Sequence, residues 1–294
     1  MNKTIKRVYQ FLLTLLSILC LTIACEVVIA RTFLLSSEHW ITVAKESNYT
    51  KSLTDSINQS IQDVGMASGI KKDGLKPVVT QSEVTKDFNQ FLTSAFKGQT
   101  YEIEKSVIEK KLQVAVEEYA KKENKPINEV NQESVNQFVE EGVNIYNGKV
   151  HNVMISTIGL RVSLIKKMTN ILLIVSIVLL GILMLCLYFA SGRYKHVFVR
   201  NVAYLVTSTG LLLVSFTMIL SINNPLTHLS IIDDHMKKWI TESIKLLMTV
   251  QIVVSIVFLV LGILLSLYSY KEYKKLEQRG FRRKQQTFDE IEGY

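Results

Sequence analysis

The sequence predicts an all-α integral membrane protein, with four transmembrane helices and a helical extracytoplasmic domain inserted between the first and the second. Three observations predict it. The apolar residues gather in four long blocks, 8–30, 168–190, 202–222 and 244–270, and a spanning helix needs only about 20 mostly apolar residues. Residues 31–167 are polar, with apolar positions recurring at helical rather than alternating spacing. The charges are sorted by segment. Residues 1–7 carry Lys3, Lys6 and Arg7; residues 191–201 carry Arg193, Lys195 and Arg200 without an acid; residues 271–294 carry seven basic residues against five acids. These three segments hold the whole net charge of +8. Ser37–Lys167 balances 17 basic against 17 acidic residues. Lys and Arg concentrate in short cytoplasmic segments, so both termini are expected inside a plasma membrane and the large segment outside.

The first block has the basic flank of a signal peptide. Its apolar run of 23 residues exceeds the usual signal core of roughly 7–15, so an uncleaved span is expected. Cys25 follows Thr22-Ile23-Ala24, a faint likeness to a lipoprotein cleavage box, and a thiol packed in a helix is the plainer reading. Helical spacing continues beyond the span through Trp40, Val43, Ala44, Leu53, Ile57, Ile61 and Val64. Ser36-Ser37 is a candidate break. Gly65–Gly69 and Lys72–Pro77 form the first clear loop, and Pro77–Thr80 is a short extended candidate.

Thr80 and Glu83 have the spacing of a capping box. Behind them Val84, Phe88, Phe91, Leu92, Ala95 and Phe96 make a helical stripe that Gly98 ends. Ile103, Val107, Ile108, Leu112, Ala115, Val116 and Tyr119 make a third. A fourth, opened by Pro126, carries Val135, Phe138, Val139, Gly142, Ile145 and Tyr146. Gly148 and Gly159 predict an interruption before the second span. The outer domain thus reads as four amphipathic helices whose stripes form a core. In residues 223–243, Leu229, Ile232, Met236, Trp239 and Ile240 share one face and Asp233, Asp234, Lys237 and Lys238 the other. Trp239 is expected as an anchor in the aromatic belt, with contact to the outer domain as the alternative.

The three cysteines, Cys20, Cys25 and Cys186, all fall in spans, so the outer domain has no disulfide framework. This argues against the animal four-span junction and tetraspanin families, which carry paired cysteines in outer loops. No phosphate loop, metalloprotease helix or nucleophile elbow occurs, and Asp233, Asp234, His228 and His235 match no metal-ligand spacing. No cofactor and no enzymatic activity is expected. The basic residues are juxtamembrane and form no nucleic-acid module. Arg279, Phe281, Arg282, Arg283 and Lys284 in the tail suit anionic lipid. Low proline with abundant Lys, Ile and Asn has a bacterial flavour.

Glu26 is the one ionisable residue well inside an apolar block, and such a residue is a functional candidate by default. If the spans alternate, Gln251 and Ser215 fall in the same half of the bilayer, and an intramembrane polar layer of Glu26, Ser215 and Gln251 is expected. Such layers join helices or line a path. The layout of span, helical outer domain and span resembles bacterial membrane sensors with a periplasmic helical bundle, with two further spans where those carry an output domain. The sequence-based expectation is a non-enzymatic bacterial membrane protein whose outer domain binds or senses a cell-surface partner, in a regulatory, scaffold or immunity role. Its partners would be membrane lipids and other membrane or cell-surface proteins. The alternative is a transport or channel component.

Overall fold

A computed structural model describes residues 3–71, 74–124, 129–192, 195–223 and 233–292, with the backbone alone for 3, 129–131, 223 and 279–292. Helix accounts for 89% of these residues, and no strand occurs among them. The chain divides into two compact units, one of residues 31–168 and 228–244, the other of residues 1–30, 169–227 and 245–294.

The first unit is a helical bundle. It holds α2 (Ser37–Glu46), α3 (Tyr49–Ala67), α4 (Gln81–Lys97), α5 (Lys105–Lys122) and α6 (Glu129–Val150), the start of α7 (Val153–Ser191) and the start of α9 (Asp234–Glu292). Five complete helices stand where the spacing predicts four. The long stripe from Trp40 to Val64 is broken at Asn48, whose φ of 58° is left-handed and cannot continue a right-handed helix. Asparagine tolerates that conformation better than most residues.

The capping box at the start of α4 is formed: Thr80 Oγ1 accepts from the Glu83 backbone N–H, and the Glu83 carboxylate accepts from the Thr80 N–H. Glu83 also pairs with Lys111, joining α4 to α5. The 77–80 segment is non-helical. The Asn58 amide of α3 holds it there, accepting from the Val78 N–H at 2.9 Å and the Val79 N–H at 3.1 Å and donating to the Val79 carbonyl at 2.9 Å.

The core is continuous from Val43 and Ile57 through Phe88, Leu92 and Leu112 to Phe138, Tyr146 and Val150. The interruption before the second span falls at His151-Asn152, between α6 and α7. It does not fall at Gly148 or Gly159, which are both helical. Gly159 serves instead as a point of close approach: a Cβ there would lie 2.6 Å from the Ala95 carbonyl oxygen of α4.

The chain has four helices long and apolar enough to cross a membrane: Thr4–Phe33 in α1 (Lys3–Phe33), Val153–Ser191 in α7, Lys195–Ile222 in α8 (Lys195–Asn223) and Asp234–Gln278 in α9, and the second unit holds the greater part of each. The chain is therefore of the multi-pass membrane kind. Within this unit α1 and α7 pair antiparallel: Gln10 Nε2 donates to the Ala190 carbonyl at 2.9 Å, and Leu13 and Cys20 pack with Leu183 and Leu187. α8 and α9 also pair antiparallel. Ser269 Oγ donates to the His196 carbonyl at 2.8 Å, and Gly262 meets Thr207. A Cβ on Gly210 would sit 3.1 Å from the Ser255 carbonyl. Glycine at 210 and 262 thus lets two helix backbones approach, as small residues do between helices in lipid.

Candidate functional sites

The intramembrane candidates come together only in part. Gln251 of α9 is 1% exposed, and its Nε2 donates to Glu26 Oε1 of α1 at 2.7 Å. A buried amide that bonds a carboxylate satisfies both groups where water is scarce. Ser215 does not join them. It is exposed, and its hydroxyl donates to the Leu211 carbonyl one turn back, at 2.9 Å. Depth alone placed it beside the other two, but helix rotation turns it away. Thr217 is buried and likewise bonds its own helix, at the Leu213 carbonyl. The pair can hold two helices together, and its one carboxyl group can carry a proton.

Trp239 is placed by the structure in the core of the helical bundle, not in an interfacial belt. It is 2% exposed. Its ring stacks on Tyr49 with centroids 4.8 Å apart and meets Trp40 and Phe88 edge-on at 5.4 and 5.6 Å. Its Nε1 donates to the Trp40 carbonyl at 2.9 Å. Met236 is buried in the same core. The helical periodicity of residues 236–240 correctly identified an apolar face. What it could not identify was the partner, which lies about two hundred residues away in sequence. Leu229, Ile232 and His228 fall outside the described residues, and so do the side chains of Arg279, Phe281, Arg282, Arg283 and Lys284.

A polar network in the bundle escaped the sequence reading. Tyr146 of α6 is fully buried, and its hydroxyl donates to Asp87 Oδ2 of α4 at 2.7 Å. The hydroxyl of Tyr101 lies 3.2 Å from Asp87 Oδ1 and 2.6 Å from Gln90 Oε1. Burial and the neighbouring Asp87 push the Tyr101 phenol up to about 12, and burial pushes Tyr146 up further. Neither phenol is then an available base or nucleophile at neutral pH, and the network acts as a structural clamp. The His151 ring packs against Phe91 and Tyr101, with centroids at 4.9 and 5.8 Å. Its Nε2 is buried without a hydrogen-bond partner among the described residues. Burial lowers its pKa, against the pull of Asp87. The available signal was Asp87 itself, an acid set between Val84 and Phe91 on the edge of an apolar stripe, with Tyr146 on another.

Among the described residues no group of His, Cys, Asp and Glu is arranged to hold a metal ion. Compared with protein families, with curated proteins and with solved structures, the chain matches none.

Proposed function

We propose that this protein is a non-enzymatic, membrane-anchored recognition protein, with the helical bundle displayed outside the cell and both termini in the cytoplasm. The observation that carries the reading is the bundle's own continuous core, in a chain that also has four helices able to span a membrane. A module that folds by its own packing presents a defined surface to a partner. The charge sorting supports the orientation, since the basic excess lies at the termini and the 191–201 segment. In that role the tail residues Arg279, Phe281, Arg282, Arg283 and Lys284 touch anionic lipid, each charge contributing roughly 1 kcal/mol.

Single cysteines in a background lacking Cys20, Cys25 and Cys186 test the arrangement. A cysteine at exposed Lys105 should react with an impermeant maleimide added to intact cells. One at exposed Gln278 should react only after permeabilisation. Labelling of Gln278→Cys in intact cells, or protection of Lys105→Cys there, would overturn the orientation. Crosslinking from the bundle in native membranes then identifies the partner.

The Glu26–Gln251 bond favours a second reading, a transport component in which Glu26 carries a proton or ion. Under it, Glu26→Gln abolishes function while expression and melting are kept. Under the recognition reading the amide is a mild change, because it still donates and accepts hydrogen bonds.

A further inference from the structure

The bundle's charges balance in number, yet they are not evenly spread. A groove of about 690 Å³ runs along α5, closed on one side by the Gly74–Val78 segment. Lys76, Lys110, Lys111, Lys121 and Lys122 line it, with Glu118 as the only acid among the described lining residues. Lys111 pairs with Glu83, and Lys76 reaches Glu118 loosely at 3.4 Å with both side chains mostly exposed. Lys110, Lys121 and Lys122 make no ion pair among the described residues.

Like charges held within a Debye length of about 10 Å repel one another. Such a groove raises the local concentration of anions. Its layout says more about the anion. Lys110 and Lys111 lie one end along α5, and Lys121 and Lys122 the other, about 16 Å apart at 1.5 Å per residue. One small anion cannot touch both ends. Between them the lining is Val114, Ala115, the buried ring of Tyr119 and Glu118, which faces Lys76, so an intervening stretch of chain can cross from one pair to the other. The cations are all lysine, a point charge that binds phosphate well, and lack the planar fork with which arginine grips a carboxylate.

We propose that this groove binds an extended phosphate polymer, with phosphate groups at both lysine pairs and the intervening stretch of the chain over Val114 and Tyr119. This gives a ligand class to the recognition proposed above and rests on that reading only for its setting. Inorganic polyphosphate and a polyol-phosphate chain share the chemistry, and the test separates them.

The full-length protein in nanodiscs of zwitterionic lipid exposes both faces, so the result does not depend on orientation. Lysine acetylation is followed residue by residue with and without inorganic polyphosphate, a glycerol-phosphate oligomer, orthophosphate or poly-glutamate. Either phosphate polymer should protect Lys110, Lys121 and Lys122 several-fold over Lys45 and Lys86, and the one that does names the source. Lys110→Glu with Lys121→Glu should weaken that polymer by about ten-fold or more, with a shallower salt dependence. Lys45→Glu with Lys86→Glu makes the same net charge change and should leave binding within about two-fold, because their charges lie outside the groove. Protection by neither polymer would overturn the proposal, since binding by the basic tail leaves the groove lysines unprotected. Equal protection by poly-glutamate or by orthophosphate, or equal weakening by the two double variants, would overturn it as well.

Discussion

In the helical bundle the buried side chains are Phe88, Phe138, Tyr146, Leu92 and Leu112, while lysine and glutamate face outward. In the four-helix unit many large apolar side chains face outward and several polar ones are buried. Phe11, Ile171, Phe189 and Leu264 are more than half exposed, while Ser17, Thr209, Gln251 and Ser255 are almost wholly buried. The difference teaches what each unit treats as its solvent. Water drives large apolar side chains together. Hydrocarbon gives no such drive, and helices in it associate through close packing and polar contacts. The second unit has both, in the Gly210 and Gly262 approaches and the Gln251–Glu26 bond. Several of its buried hydroxyls bond the carbonyl four residues back, as Ser17 does with Leu13 and Ser255 with Gln251. A hydroxyl buried away from water needs such an internal partner.

The largest test of the contrast removes a large aromatic from each unit. Phe88→Ala should destabilise the bundle by roughly 3–5 kcal/mol, since it empties space among Tyr49 and Trp239. Phe189→Ala, on an outward face of α7, should change stability by under about 0.5 kcal/mol. Denaturant unfolding in detergent measures both, followed by the fluorescence of Trp40 and Trp239 for the bundle and by helical circular dichroism for the four-helix unit. Comparable losses from the two would end the inside-out account.

Within the bundle, Tyr146→Phe deletes a hydrogen bond to a carboxylate and should cost roughly 1.5–3 kcal/mol. The bundle should also be acid-sensitive. Burial holds His39 and His151 below the ordinary histidine value of 6.5 in the folded state. Below that value the unfolded chain binds more protons than the folded one, so stability is full above about pH 6.5 and is lost as the pH falls towards the folded values. Unfolding midpoints between about pH 5 and 8 should show this slope, and His151→Gln should flatten it. A midpoint independent of pH would refute the assignment.

In the four-helix unit the sharper test is steric. Gly262→Ala presses on Thr207 and should cost roughly 1–3 kcal/mol. Gly181→Ala meets nothing within 4 Å and should be neutral or gain up to about 1 kcal/mol in helix propensity. Melting of the two variants in the same detergent gives the comparison. If both behave alike, close backbone approach does not hold α8 to α9.

The smallest effect belongs to the polar pair. Glu26→Leu should lose about 0.6 kcal/mol, the scale of one hydrogen bond between membrane helices, and Glu26→Gln less. A loss of several kcal/mol from Glu26→Leu would mean that the pair is the main fastening of α1 to α9.

Part of this was legible in the residues. The stripe Val84, Phe88, Phe91, Leu92, Ala95, Phe96 is the buried face of α4, because helical periodicity is a local property. The Thr80–Glu83 box was legible for the same reason. Asn48 was not, since asparagine tolerates a left-handed φ but does not require one. Of the three residues of the expected polar layer, two come together. Glu26 and Gln251 meet, whereas Ser215 at a similar depth bonds its own helix. Span order sets depth, but rotation about each helix axis depends on how neighbours pack.

The sequence by itself determined the number of long apolar helices, the all-helical character of the rest and the sorting of charge among segments. Length, period and composition are properties of contiguous residues, and they follow from the dimensions of a helix and a bilayer. Tertiary structure alone decided that Trp239 belongs to the bundle core beside Trp40, Tyr49 and Phe88. It alone joined Asp87 to Tyr101 and Tyr146, gave Gly159 to a helix crossing and set the Gly74–Val78 segment, with Lys76, beside the lysines of α5. Each of these depends on which face meets which, and that choice is made by the packing of distant segments.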